Sequence, residues 1–140
     1  MRKEKSCGAV VYKKEGEEVL FLLEHMVQGH VSLPKGHVEG CETEAETALR
    51  EIREETGLEA KLCTAFRHTI TYSPAPEVSK DVVFFLAEAW PGEMRNQPCE
   101  VSALEWLPFK AAAEALTFDS DRETLRLAAE YLDRENGAEG

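Results

Sequence analysis

Apolar and polar positions along this chain repeat with two different periods, and the places where the period changes predict its elements. Ser6 to Lys13, SCGAVVYK, reads as a first strand, closed by the turn cluster Glu15, Gly16, Glu17. Val19 to His25 predicts a second. Its unbroken VLFLL run suits a strand covered on both faces, with helices on either side of a sheet. Val31 to Leu33 is a short extended piece stopped by Pro34, which biases Leu33 away from helix. From Thr43 to Thr56 there is neither Gly nor Pro, and Ala45, Ala48, Leu49 and Ile52 fall at i, i+3, i+4 and i+7, the stripe of a core-facing helix. Thr43 is placed as its N-cap with Glu46 as capping-box partner, and Gly57 stands where a left-handed residue would end it.

The second half continues with strands. Ala60 to Tyr72 predicts a long extended segment, with Leu62, Thr64, Phe66 and His68 on one face. Two prolines in Ser73 to Ser79, SPAPEVS, predict an irregular loop, and Lys80 to Trp90, KDVVFFLAEAW, carries the strongest strand signal in the chain. Pro91 and Gly92 turn it. Val101 to Leu107, with Trp106 assigned to the core, predicts a last strand that Pro108 terminates. Phe109 to Leu116 is a short helical turn. Ser120 with Glu123 makes a second capping box, opening a final helix through Leu125, Ala128, Ala129 and Leu132; Glu135 to Gly140 should fray. Strands, helix, strands and helix in that order predict an α/β fold with a mixed sheet between helices, an α/β/α sandwich.

Composition narrows the function. At 140 residues and 43% hydrophobic content, residues 1–140 suffice for one domain with a proper core. A net charge of −11 argues against duplex nucleic acid or an anionic membrane as partner, though a small anion can still bind locally. Cys7, Cys41, Cys63 and Cys99 show no CxxC or Cys/His ligand pattern, which favours buried thiols over a zinc site. No segment has the length of a membrane span, and the apolar run after Cys7 is too short for a signal peptide; the expectation is a cytoplasmic protein, monomeric or weakly dimeric.

The candidate chemistry lies on the first helix. Glu51, Glu54 and Glu55 at i, i+3 and i+4 share one face and repel one another unless a cation lies between them. An acidic helix is ordinarily a solvated face, here relieved by pairs such as Glu46 with Arg50 and Arg50 with Glu54. The upstream Leu33-Pro34-Lys35-Gly36 changes that balance, because it places a basic side chain and a glycine before a loop able to fold back over the acids. Clustered carboxylates plus a backbone carbonyl are the ligand set of a hard divalent cation, Mg²⁺ or, as a substitute, Mn²⁺.

The spacing Gly36, five residues, Glu42, seven residues, Arg50-Glu51-Ile52, one residue, Glu54-Glu55, one residue, Gly57-Leu58 resembles the complete Nudix box. The resemblance implies a Nudix hydrolase, which cleaves a diphosphate linkage in a nucleotide-containing substrate. It implies Glu51, Glu54 and Glu55 as metal ligands with the Gly36 carbonyl, Arg50 as the residue that orients the glutamates, and Glu42 in a structural role. It also implies an acid from outside the box, for which Glu100 is the candidate, as ligand or general base, with Glu105 and Glu93 as competitors. The base among Glu51, Glu55 and Glu100 stays open. Glu39-Gly40-Cys41 departs from the proline that many members carry here, which predicts a less stiff loop.

Outer pieces resemble the asymmetrical diadenosine tetraphosphate hydrolases of that family: Cys7-Gly8-Ala9, PKGHVE at Pro34 to Glu39, Tyr72, KDVVFFLAE at Lys80 to Glu88 and CEVSALEWL at Cys99 to Leu107. This second resemblance implies Lys35, His37 and Lys80 as phosphate contacts and Tyr72 with Phe118 as a clamp on adenine. Competing readings are a Nudix pyrophosphatase for nucleoside triphosphates or nucleotide sugars, and a nucleotide-binding module without catalysis.

Overall fold

The computed structural model describes residues 2–95, 97 and 99–139. Among these, the strands are β1 (Arg2–Glu15), β2 (Glu18–Met26), β3 (Val31–Ser32), β4 (Lys35–His37), β5 (Ala60–Ala75), β6 (Val78–Ala89) and β7 (Val101–Pro108). The helices are α1 (Glu44–Thr56), α2 (Phe109–Ala115) and α3 (Asp119–Glu139). The sheet runs β3-β2-β1-β6-β5, with β4 pairing to β1 and β7 to β2. β1 and β6 are parallel while β1–β2, β1–β4, β2–β7 and β5–β6 are antiparallel, so the sheet is mixed as expected.

Strict alternation in the central strands sends neighbouring residues into two cores. Cys7, Ala9 and Val11 of β1 pack with Leu22, Val83, Phe85 and the α1 residues Ala48 and Ile52. Val10 and Tyr12 pack on the other side with Phe84, Leu86 and the helical residues Ala112, Leu125, Ala128 and Leu132. The VLFLL run is continuous because both faces are covered. Ile52 is wholly buried; burial of a side chain of that size contributes about 1.5–3 kcal/mol and fixes α1 to the sheet.

Several expectations are corrected. Ser73 to Ser79 is a tight hairpin rather than an irregular loop: β5 extends to Ala75 and β6 starts at Val78. Pro74 is tolerated because β5 ends the strand path and the ladder shifts register between Tyr72 and Ala75. Ser73 Oγ bonds the carbonyls of Ala75 at 2.8 Å and Val78 at 2.7 Å, closing the turn. A second irregularity between Cys63 and His68 divides the predicted face, so Leu62 packs with the α1-side core and Phe66 with the α3-side core. Ser120 does not cap α3. The helix begins at Asp119, the Phe118 carbonyl accepts from the N–H groups of Asp121 and Arg122, and Glu123 pairs with Arg126 instead. At its far end α3 continues through Glu139, where fraying was expected from Glu135; Gly140 lies outside the described residues. Of the cysteines only Cys7 is buried, while Cys41 and Cys99 are exposed, and all four are free. No helix of the described residues is long and apolar enough to cross a membrane.

Candidate active site

α1 is held at both ends in the way its sequence predicts. Thr43 Oγ1 accepts from the Glu46 N–H at 3.1 Å, and Glu46 Oε1 accepts from the Thr43 N–H at 2.8 Å. Gly57, at φ +76°, donates to the Arg53 carbonyl. Along this fixed helix Glu51 and Glu55 are buried, while the Glu54 side chain is 49% exposed.

Arg50 ties the acids to the incoming loop. Its Nε donates to Glu42 Oε2 at 2.7 Å, one amino group to Glu51 Oε1 at 2.8 Å and Glu54 Oε2 at 3.1 Å, and the other to the His37 carbonyl at 2.8 Å. Such charge-assisted bonds are about twice as strong as neutral ones. Of the two ion pairs expected for a solvated face, Arg50–Glu54 forms, whereas Glu46 is engaged in the cap and Arg53 turns to Glu59. Glu42 also accepts from the Glu39 N–H at 3.0 Å and from Thr47 Oγ1 at 2.9 Å, so the loop lacking the proline is held by hydrogen bonds. The Arg50 guanidinium holds the Glu42 carboxyl down at about 2.

The loop does fold back over the acids, and it does so as β4, a strand where only a loop was expected. A Cβ at Gly36 would lie 2.0 Å from the Glu51 carboxyl carbon, so the glycine leaves the space that this carboxyl occupies against β4. The Lys35 N–H donates to Glu55 Oε1 at 3.1 Å.

A cleft of about 330 Å³ results, lined by Lys35, Gly36, His37, Glu51, Glu54, Glu55, Lys80 and Glu100. Nearly the whole anticipated set is brought together. Glu100 joins it, whereas Glu105 binds His25 at 2.9 Å and Glu93 lies elsewhere. A second cleft of about 400 Å³ is lined by Tyr72, Phe118, His30 and Asp121 and shares Lys35 with the first. Tyr72 is 44% and Phe118 50% exposed, and the His30 ring stands 5.6 Å from that of Phe118. Trp106 is half-buried, with Lys13 Nζ 4.7 Å above its ring.

Three residues here went unnoticed in the sequence. His30 and Asp121 line the aromatic cleft, and burial pushes the Asp121 carboxyl up. Glu24, in β2, is 1% exposed and within hydrogen-bonding reach of Glu55. Its one signal is a charge inside the VLFLLEHM run. Burial and then mutual repulsion push the Glu55 carboxyl far up; burial likewise raises Glu24 and, against the pull of Arg50, Glu51.

This donor set suits a divalent cation. Buried carboxylates lie side by side, and Glu24 Oε2 has no hydrogen-bond partner among the described residues. Each buried ion costs several kcal/mol unless compensated, and a hard cation among oxygen donors compensates it. As they stand, no three or more His, Cys, Asp or Glu side chains of the described residues are grouped closely enough to hold a metal ion, and Arg50 is paired with both Glu51 and Glu54.

An acid-walled cleft with Lys35 and Lys80 on its rim is the arrangement expected of an enzyme acting on phosphoanhydrides. The NUDIX domain model matches residues 2–128, and the chain belongs to the Nudix hydrolase family. It is a pyrophosphohydrolase, and members of this family generally use divalent metals. An asymmetrical bis(5'-nucleosyl)-tetraphosphatase of Mus musculus is 33% identical over 141 aligned residues, covering 91% of this chain and 95% of its own. The 8-oxo-(d)GTP phosphatase of Mycolicibacterium smegmatis is 41% identical over 95 residues, 68% of this chain but 29% of its own length. Among solved structures, a C. elegans Ap4A hydrolase binary complex superposes with a TM-score of 0.85 at 26% identity, covering 93% of this chain and 98% of that one.

Proposed function

We propose that this chain hydrolyses diadenosine tetraphosphate to ATP and AMP by water attack, with Mg²⁺ as cofactor and Mn²⁺ able to replace it. The observation that carries this reading is Lys35, which lines both the acid cleft and the aromatic cleft, so that one molecule with a polyphosphate and a base can occupy the two. The mouse tetraphosphatase, similar over nearly its whole length, supports it.

Glu51, Glu54, Glu55 and Glu100, with the Gly36 carbonyl, would hold the cation. Bound there, Mg²⁺ supplies positive charge to the phosphate oxygens and makes water more acidic. Arg50 keeps Glu51 and Glu54 oriented, and Lys35, His37 and Lys80 contact the phosphates. A carboxylate among Glu51, Glu55 and Glu100 takes the proton of the attacking water. The water oxygen bonds to phosphorus as the anhydride P–O bond breaks, and the bridging oxygen leaves with the bonding electron pair on the second nucleotide, giving ATP and AMP. Tyr72 and Phe118 hold adenine between their exposed rings.

The test is product analysis with Mg²⁺ on diadenosine tetraphosphate, nucleoside triphosphates and nucleotide sugars in parallel, with a Glu55→Gln control. ATP plus AMP from the first, lost in the control and on chelation, is the expected result. Turnover confined to triphosphates would transfer the assignment to the activity named for the M. smegmatis relative. No turnover of any substrate would favour a binding module.

A further inference from the structure

Glu24 is the acid that neither the Nudix box nor the cleft accounts for. It sits in mid-strand after Leu22 and Leu23, which are wholly buried, and is itself 1% exposed. Its register neighbours are Ser32 on β3 and Leu104 on β7, neither of which carries charge. Of the charged groups around it, Lys35 attracts while Glu51 and Glu100 repel. Glu24 Oε2 and the Oγ of the adjacent Ser32 both lack partners among the described residues. A strand core would be better served by leucine here, since an unpartnered buried polar group costs about 1–3 kcal/mol and a charged one more. Such a group in a native core calls for a reason outside stability.

The geometry supplies that reason. Glu24 does not line the cleft, and its carboxyl is within hydrogen-bonding reach of the Glu55 carboxyl, which does. On the other side the Lys35 N–H donates to Glu55 Oε1 at 3.1 Å. Glu55 thus meets Glu24 from the sheet and the Lys35 N–H from β4, and the two carboxyls can share a hydrogen bond when one of them carries a proton.

We propose that Glu24 is a positioning residue: its carboxyl, reaching through the sheet side of the site, fixes the orientation of Glu55 toward the divalent cation. This rests on the metal reading given above. Outer contacts that orient a ligand typically change metal affinity about 10- to 100-fold when removed.

The test pairs Glu24→Leu, which keeps the bulk and removes the polar contact, with Glu24→Gln, which keeps the contact. Melting temperature is read in chelator, Mn²⁺ affinity by titration without substrate, and kcat and KM separately. Glu24→Leu should melt no lower than wild type when metal-free, bind Mn²⁺ roughly 10-fold more weakly, and lose kcat with KM little changed. Glu24→Gln should restore Mn²⁺ binding and kcat. Wild-type Mn²⁺ affinity in Glu24→Leu, with or without a drop in melting temperature, would overturn the proposal by leaving only a structural role. Equal losses in both variants would also overturn it, because charge rather than contact would then matter. Wild-type protein that binds no Mn²⁺ would remove the metal reading itself, an outcome distinct from either.

Discussion

The two clefts that share Lys35 are built in opposite ways. The acid cleft is over-determined: Arg50 makes bonds to Glu42, Glu51, Glu54 and the His37 carbonyl, α1 is capped at both ends, and Glu51 and Glu55 are buried. The aromatic cleft is loosely held. Tyr72 comes from an edge strand beside a register shift, Phe118 from the residue before α3, and both rings are about half exposed. Rigidity belongs where reacting atoms must be aligned, since small misplacements there are costly. A flat base stacked between rings tolerates more latitude.

Breaking the rigid region should have the largest effect. Glu55→Gln should fold normally and lose kcat by about 10³-fold, within the range for removing a positioned acid–base or ligand carboxylate; steady-state kinetics beside a thermal melt checks this. Gly36→Ala pushes the Glu51 carboxyl out of its place, because the added carbon would lie 2.0 Å from it. A displacement of that order should cost roughly 10²-fold in kcat, and near-normal kinetics would show that the close approach is dispensable.

Breaking the loose region should be gentler and of a different kind. Tyr72→Ala and Phe118→Ala should each raise KM by about 10-fold, the low end of what loss of one aromatic–base stack costs, with kcat spared. A fall in kcat instead would erase the distinction between the clefts.

The smallest effect sharpens the comparison from the scaffold side. Hydrogen bonds from Arg67 and then Lys5 lower the Glu44 carboxyl from 4.5 to about 2. A group depressed on folding stabilises above its unfolded value and loses that contribution as pH falls through the folded one. Denaturant unfolding of wild type and Glu44→Gln should therefore show a stability gap that is constant above pH 4.5 and closes toward pH 2. A gap independent of pH would assign the difference to packing.

The same contrast explains what could be read from the sequence. α1, its caps and its acids lie in one contiguous segment with local rules, so Thr43, Glu46, Gly57 and the glutamate spacing spoke for themselves. β4 is too short for any periodicity, and Pro74 is permitted in a strand only because β5 lies at the sheet edge, a fact of topology. Leu62 and Phe66 diverge because of an irregularity that a two-residue period cannot express. Glu24 was hidden for another reason: one acid at the end of an apolar run reads as a strand reaching solvent, and only the fold reveals Glu55 opposite it.

The most direct measurement compares diadenosine tetraphosphate with inorganic tetraphosphate, which lacks adenine, in wild type and in Tyr72→Ala, reading kcat and KM for each pair. Wild type is expected to favour the dinucleotide through KM, with Tyr72→Ala abolishing that preference while kcat on both substrates persists. A preference that survives the substitution intact would contradict the assignment of the aromatic cleft to the base and, with it, the division of labour between the two clefts.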